Sequence, residues 1–198
     1  MSFYSYVIAR DYGFAPNPFH GYCTLATCKP VIRRVAQVGD WVIGTGSAHY
    51  NRSGHLISAM RITECMPFDD YWADPRFALK RPDLTGSRMR AFGDNIYHRD
   101  QNGDWVQEDS HHSLPGGEVN LVNLHDDTQT DRVLISREFW YFGADAPLIP
   151  SRFRGEGPEN ICAHRGHRVT FSAGLVDEFL DWVQQYERGC SGRPDRWP

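Results

Sequence analysis

The stretch GDWVIGTGS, residues 39–47, opens like a buried β-strand and ends in two glycines that flank a threonine and precede a serine. Glycine takes a positive φ without steric cost, so the simplest explanation of this ending is a tight turn. The alternative is a ligand, because glycine lets a flat molecule approach the backbone while Thr45 and Ser47 offer hydroxyl groups. Taken alone, the stretch favours the turn.

Strands and helices are predicted on both sides of this stretch. The predicted strands cover residues 3–9, 39–46, 55–64 and 131–143, with two short strands, NIYHR and DWVQED, paired in between. Proline at a first helical position predicts a short helix from Pro30, and a one-sided apolar pattern predicts a last helix from Leu175 that ends by Gly189. Central strands with helices at the edges predict an α+β fold around a curled sheet.

Length and composition predict one domain over residues 1–190 with a loosely held tail over 191–198. A chain of 198 residues can bury a sizeable core without staples. Its five cysteines are odd in number and scattered, and the first residues carry no apolar signal segment, so we expect a reduced, cytoplasmic protein. No apolar run reaches the roughly 18 residues of a membrane span, so we expect no membrane partner.

The charge pattern favours a small-footprint reader of nucleic acid over a protein that wraps it. The formal net charge is −4, whereas non-specific binding to nucleic acid depends on many neutralised phosphates. Arginines nevertheless cluster in KPVIRR, RFALKRPDLTGSRMR and SRFRGEG. A locally basic face explains these clusters, and so do surface ion pairs.

Common catalytic and metal motifs are absent from the sequence. It has no phosphate-binding loop, dinucleotide fingerprint, serine-hydrolase elbow or HExxH helix. Cys23 with Cys28, and Cys162 with His164 and His167, are spaced unlike the usual zinc knuckles. We therefore predict no metal and no cofactor, and expect Cys23, Cys28 and Cys65 to be small buried apolar residues.

The densest polar cluster, EDSHHSLPGG, supplies candidates for acid–base catalysis. His111 and His112 are candidate general acids or bases, with Glu108 or Asp109 to orient them. Neighbouring residues of an extended chain point to opposite sides, so at most one histidine faces a given pocket. Cys23 is the candidate nucleophile. A solvated loop is the alternative for the whole cluster.

Loop aromatics supply candidates for base stacking. Six tryptophans, nine tyrosines and eleven phenylalanines exceed the needs of a core of this size, and flat rings stack on nucleobases. We expect Trp72 or Phe14 to stack on a base, and Arg76 or Arg137 to anchor it. Ordinary core packing and surface ion pairs are the alternatives for these side chains.

Two family resemblances emerge from these strings. The order of short helix, Gly-Asp strand and returning strand over residues 1–80 resembles the PUA-like barrels of the EVE and ASCH groups, which hold a nucleobase beside that strand. A longer resemblance runs through YVIARDYGFAPNPFHGYC, AMRITECMPFDDYWADPRF, GDNIYH, DSHHSLPGG and DRVLISREFWYFG. These strings resemble the second nucleotide-modification-associated domain family of bacteria and phages. That resemblance implies an association with modified nucleotides and genome conflict, and implies no defined reaction.

The resemblance changes the interpretation of the opening stretch. In a PUA-like pocket, Gly44, Thr45, Gly46 and Ser47 would form a wall that admits a base edge. The sequence then predicts recognition or handling of a modified nucleobase, nucleotide or DNA in a modification or defence system. An enzyme that uses histidine acid–base catalysis is the first alternative, and a scaffold for other base-modifying enzymes is the second.

Overall fold

The computed structural model describes residues 1–197, and five α-helices and eleven strands are found there. The helices are α1 (Pro30–Val35), α2 (Phe68–Ala73), α3 (Arg88–Ala91), α4 (Leu121–Thr128) and α5 (Leu175–Val183). The strands are β1 (Phe3–Ile8), β2 (Cys23–Leu25), β3 (Trp41–Gly46), β4 (Leu56–Arg61), β5 (Glu64–Met66), β6 (Tyr97–Arg99), β7 (Trp105–Gln107), β8 (Val133–Ser136), β9 (Glu138–Tyr141), β10 (His167–Arg168) and β11 (Gly189–Cys190). The chain forms two compact units. Unit 1 holds Met1–Asp11, Gln37–Thr63 and the chain from Ser136 onward, and unit 2 holds Tyr12–Ala36 and Glu64–Ile135.

Unit 1 is built on a six-stranded sheet with the order β10-β1-β3-β4-β9-β11. The opening stretch supplies its centre, because β3 pairs with β1 in parallel and with β4 antiparallel. A register shift between Gly44 and Thr45 marks a bulge in that strand. The wholly buried pattern of β3 is typical of a strand with neighbours on both sides.

Aromatic residues form much of the core of unit 1. Helix α5 buries Phe179 and Trp182 along one face, which confirms the one-sided pattern predicted there. The Phe179 ring lies edge-on to Phe3, with 5.9 Å between the ring centroids. In the sheet, Trp41 and Trp140 stack with 5.6 Å between their centroids. These contacts fix the last helix on the sheet of its own unit.

The final residues also belong to unit 1 by their hydrogen bonds. The Ala144 N–H donates to the Arg193 carbonyl at 2.7 Å, and the Arg196 N–H donates to the Asp11 carbonyl at 3.0 Å. The part of the predicted loose tail that the structure describes is therefore tied down by its backbone. None of the described helices is both long and apolar enough to cross a bilayer.

Unit 2 contains a three-stranded sheet with the order β2-β8-β5 and a separate hairpin of β6 and β7. The hairpin confirms the pairing predicted across DQNG. Helix α2 contributes Phe68 and Tyr71 to a buried cluster that also holds Phe14, Phe77 and Tyr97. This core supports the loops from which the candidate site is made.

The α+β class is confirmed, while two predicted strands are each divided. The strand predicted over 55–64 ends at Arg61, and Glu64 already begins the short strand β5 of the other sheet. The strand predicted over 131–143 is wrong as one element, because β8 and β9 lie in different sheets. The Ser136 hydroxyl accepts the Glu138 N–H at 2.9 Å, a local bond that replaces a ladder bond and breaks the strand. The sheets remain open: the strands of residues 1–197 close no barrel, so the PUA-like likeness is not confirmed.

Candidate active site

Two consecutive residues in left-handed conformation stand before α1. Cys28 has a φ of 58° and Lys29 a φ of 46°. Neither is glycine, and such strain costs roughly 1–3 kcal/mol per residue unless the surroundings impose it. The Cys28 N–H donates to Asp127 Oδ1 at 2.6 Å, and Arg33 Nε donates to the Cys28 carbonyl at 2.8 Å. Side-chain bonds from two other segments thus hold the cysteine in a conformation that is enriched at functional sites.

Arg33 lies wholly buried and ties these segments together. Besides Cys28, its guanidinium donates to the backbone carbonyls of Asp127, Thr130 and Arg132. Burial lowers the pKa of Arg33, while the charge of Asp127 acts in the opposite direction. Arg33, which belongs to the basic cluster KPVIRR, is therefore an interior residue of unit 2. Its bonds connect the turn at Cys28 and Lys29 to the end of α4.

Cys28, His112 and Asp127 form a chain of polar contacts. His112 Nε2 lies 3.9 Å from Cys28 Sγ, and His112 Nδ1 lies 2.9 Å from Asp127 Oδ2. Asp127 is held in the last turn of α4, and its side chain is only 4% exposed. The order of sulfur, imidazole and carboxylate is the arrangement in which a histidine can move a proton for a cysteine nucleophile.

The carboxylate of Asp127 has a further donor. Tyr97 donates its hydroxyl to Asp127 Oδ2 at 2.9 Å and accepts a bond of 3.1 Å from Gln107 Nε2. Gln107 Oε1 in turn accepts the N–H of Asn120, the N-cap of α4, at 2.7 Å. Burial raises the pKa of Tyr97, and the charge of Asp127 raises it further, so Tyr97 stays a neutral donor. The β6–β7 hairpin thereby orients the carboxylate that orients the histidine.

His112 is protonated at neutral pH in this setting. Burial acts to lower its pKa, but the hydrogen bonds to Asp127 and Cys28 outweigh burial and raise the pKa to about 9. An imidazolium beside a sulfur stabilises the thiolate, which is the nucleophilic form of cysteine. The imidazole Nε2 of His112 therefore faces the sulfur that borders the site, that of Cys28.

A cavity of about 410 Å³ opens at this group and lies within unit 2. Its lining includes Cys28, Lys29 and His112, together with Asn123, Asp126, Asp127 and Gln129 from α4 and its end. The volume falls in the range of small-molecule sites. The nucleophile and the imidazole thus face a space in which a ligand can bind.

The structure separates the two predicted histidines. His112 lies in the polar chain, whereas His111 is exposed and packs on Tyr12, with 4.4 Å between the ring centroids. Of the predicted orienting acids, Glu108 pairs with His98 at 2.8 Å, and the Asp109 carboxylate lies beside Gly117. The orienting acid of His112 is Asp127.

Cys23, the predicted nucleophile, lies fully buried in β2. The sulfur that contacts His112 is that of Cys28, five residues later. A catalytic role for Cys23 remains a prediction, and the geometry favours Cys28 for the same chemistry.

The glycine stretch has protein neighbours where we expected a ligand. A Cβ at Gly44 would lie 2.3 Å from Cδ1 of Ile8, and a Cβ at Gly46 would lie 2.3 Å from the Arg52 carbonyl oxygen. Thr45 donates its hydroxyl to the Tyr6 carbonyl at 3.3 Å. The Ser47 hydroxyl accepts the His49 N–H at 3.2 Å and caps a short 3₁₀ turn. Close packing inside unit 1 explains both glycines, and their role in ligand binding remains a prediction.

Trp72, the predicted base-stacking residue, packs against two side chains of the protein itself. Its ring stacks on His98 with 4.2 Å between centroids, and the Arg81 guanidinium carbon lies 4.2 Å from the ring centre. Phe14 lies buried beside His112, with 4.6 Å between ring centroids, and so belongs to the support of the polar chain. A base-stacking role for Trp72 or Phe14 remains a prediction.

The two predicted anchoring arginines lie on the surface. Arg76 forms ion pairs with Glu64 at 2.8 Å and with Asp74 at 2.6 Å. Arg137 donates its backbone N–H to the Thr63 hydroxyl at 3.2 Å. Neither residue lines the Cys28 cavity, and their ligand contacts remain predictions. Across residues 1–197, no group of three or more histidine, cysteine, aspartate or glutamate side chains is arranged to hold a metal ion.

Comparison with known proteins identifies the family. The family model described as nucleotide modification associated domain 2 matches residues 1–198. The chain belongs to this family. Searches of curated proteins and of solved structures gave no match. Membership in the nucleotide modification associated domain 2 family confirms the resemblance drawn from the sequence and links the chain to nucleotide modification systems.

Sequence reasoning missed Cys28 and Asp127. Two signals in the sequence pointed toward them: a cysteine two residues before a helix-starting proline, and the HDD run at the end of α4. Within α4, Asn123, Asp126 and Asp127 have the i, i+3, i+4 spacing of one helical face. That spacing predicts a polar face turned toward one site, which is where the cavity of this nucleotide modification associated domain lies.

Proposed function

We propose that this protein is a thiol-dependent enzyme of nucleotide modification. Cys28 is the nucleophile, His112 holds the proton, and Asp127 with Tyr97 orients the imidazole. The observation that carries this proposal is the pair of contacts at His112, 3.9 Å to the sulfur and 2.9 Å to the carboxylate, beside a cavity. Family membership supports a nucleotide or nucleobase as the substrate class.

The covalent step is an addition to an electrophilic carbon of the bound substrate. The Cys28 thiolate forms a C–S bond with that carbon as the π bond of a C=N or C=O group breaks. The electron pair moves to the nitrogen or oxygen, and the proton on His112 Nε2 passes to it. The neutral imidazole that remains is the base for the step that releases the enzyme.

Recognition of a modified base without chemistry is the second candidate function. The same cavity favours it, since a space of about 410 Å³ holds a small ligand whether or not a bond forms. In both versions we place the modified nucleobase, nucleotide or DNA at Cys28, in a bacterial or phage modification or defence system. Other base-modifying enzymes are the proposed partners.

Cysteine labelling tests the thiol mechanism. Reduced protein is treated with limiting iodoacetamide at pH 6 and at pH 8, and peptide mapping scores the cysteines separately. We expect Cys28 to react faster than the exposed Cys190 at pH 6, and His112→Gln to remove this advantage. His164→Gln, at an exposed histidine outside the cavity, is the matched control and should leave the labelling pattern unchanged.

Nucleotide protection separates the two candidate functions. Mononucleotides and short oligonucleotides, with and without modified bases, are added before the label. If a nucleotide protects Cys28, and the fast labelling of Cys28 requires His112, the enzyme is supported. If a nucleotide protects a cysteine whose labelling rate does not change in His112→Gln, recognition alone is supported. Labelling of Cys28 no faster than Cys190, without protection by any nucleotide, refutes both.

A further inference from the structure

The wall that α4 and its C-terminal end give to the cavity holds three side chains with acceptor oxygens, those of Asn123, Asp126 and Gln129. Asn123 Nδ2 donates to the His112 carbonyl at 3.0 Å, which fixes the amide orientation because a carbonyl only accepts. Gln129 Nε2 donates to Asp126 Oδ1 at 3.3 Å, which fixes the second amide in the same way. Among the described residues, Asn123 Oδ1 and Gln129 Oε1 then have no protein donor. Both residues line the cavity together with Asp126.

A ligand that matches such a wall must present neighbouring N–H donors. Thymine and uracil place carbonyl oxygens on both sides of their single N–H, so their edges would bring acceptors against acceptors. Adenine and cytosine each offer one amino group beside an acceptor nitrogen. Guanine places its ring N1–H next to its exocyclic amino group, and a carboxylate can accept both donors at once.

We propose that the α4 wall, through Asn123, Asp126 and Gln129, selects a guanine-type base with adjacent ring N–H and amino donors. This inference rests on the proposed function, because it places the substrate of the same site. Lys29 lines the cavity as well, and an ammonium group attracts an anion such as a nucleotide phosphate. The base edge then meets the acceptors of α4 while Cys28 and His112 border the same space.

The test is binding of dGMP, dIMP, dCMP and dTMP to the full-length Cys28→Ser protein by calorimetry. The serine variant is used so that binding is measured without covalent reaction. dIMP lacks only the 2-amino group of dGMP, and we expect it to bind about 10-fold or more weakly, with dTMP weaker still. Asp126→Asn should weaken dGMP and reduce the ratio between dGMP and dIMP. Glu187→Gln, an exposed acid outside the cavity, is the matched control and should change neither value.

The outcomes distinguish this inference from the function on which it rests. Equal binding of dGMP and dIMP, tighter binding of dCMP or dTMP, or an Asp126→Asn variant with unchanged selectivity overturns the guanine assignment. If Cys28 of the wild type is meanwhile reactive, His112-dependent and protected by a different nucleotide, the thiol enzyme stands and the base is another one. Absence of binding by all four nucleotides overturns the assignment too.

Discussion

The ion pair of His112 and Asp127 makes a quantitative prediction about stability and pH. The pKa of His112 is raised to about 9 in the folded protein, against 6.5 for an ordinary histidine. A raised pKa stabilises the fold fully below the unfolded value and loses that effect as pH rises through the folded value. At 1.36 kcal/mol per pKa unit, the contribution is about 3 kcal/mol below pH 6.5 and vanishes above pH 9.

Urea unfolding of the wild type and of His112→Gln measures this contribution directly. Both proteins are unfolded under reducing conditions at several pH values between 6 and 10. We expect the wild-type advantage to shrink by about 3 kcal/mol over this window, because the glutamine does not titrate. The difference between the two proteins removes titrations that both share.

Two further measurements test whether His112 itself causes this pH dependence. Cys28 and Tyr97 also contact His112, so Cys28→Ser is unfolded in parallel to separate the sulfur from the imidazole. The pKa of His112 is read independently by NMR titration of its ring protons. A difference between wild type and His112→Gln that stays constant within about 0.5 kcal/mol, or an NMR pKa near 6.5, would refute the ion pair as described.

Three other variants test the support of the site and the packing of the sheet. Arg33→Met should destabilise the protein by about 3 kcal/mol or more in urea unfolding, because four backbone carbonyls lose the guanidinium donor, two of them in fully buried bonds. Tyr97→Phe should cost about 0.5–1.5 kcal/mol and raise the pKa of His112 further in an NMR titration, because Asp127 loses a donor. Gly46→Ala should cost about 1–3 kcal/mol in thermal or urea unfolding without changing Cys28 labelling, because its Cβ meets a backbone carbonyl.

Patterns with a local cause were predictable from the sequence. Alternation and turn residues located the β6–β7 hairpin, and the one-sided apolar pattern located α5. The division of the strand over residues 131–143 escaped prediction, because its apolar pattern continues through the break. One side-chain bond, from the Glu138 N–H to the Ser136 hydroxyl, accompanies that break, and a single serine within an apolar run does not show whether its hydroxyl will bond the backbone.

The candidate site was only partly predictable, for a different reason. His112 was found because its neighbours are polar, which is a local signal. Its partners Cys28 and Asp127 lie 84 and 15 residues away along the chain. The bonds of the buried Arg33 decide which cysteine meets the histidine, and a sequence shows an arginine without showing that it is buried. The same sequence pattern therefore allowed Cys23.

Stability and chemistry are joined at Asp127, and this determines which variants are informative. Its carboxylate accepts the Cys28 N–H, the His112 ring and the Tyr97 hydroxyl, so replacing it would release the strained turn and the histidine together. Loss of reactivity in an Asp127 variant would therefore have two causes that cannot be separated. The sulfur of Cys28 contacts His112, while its backbone carries the bonds that hold the turn. Cys28→Ser should consequently keep these backbone bonds while it removes the nucleophile, which makes it a better variant than one at Asp127 for separating chemistry from structure.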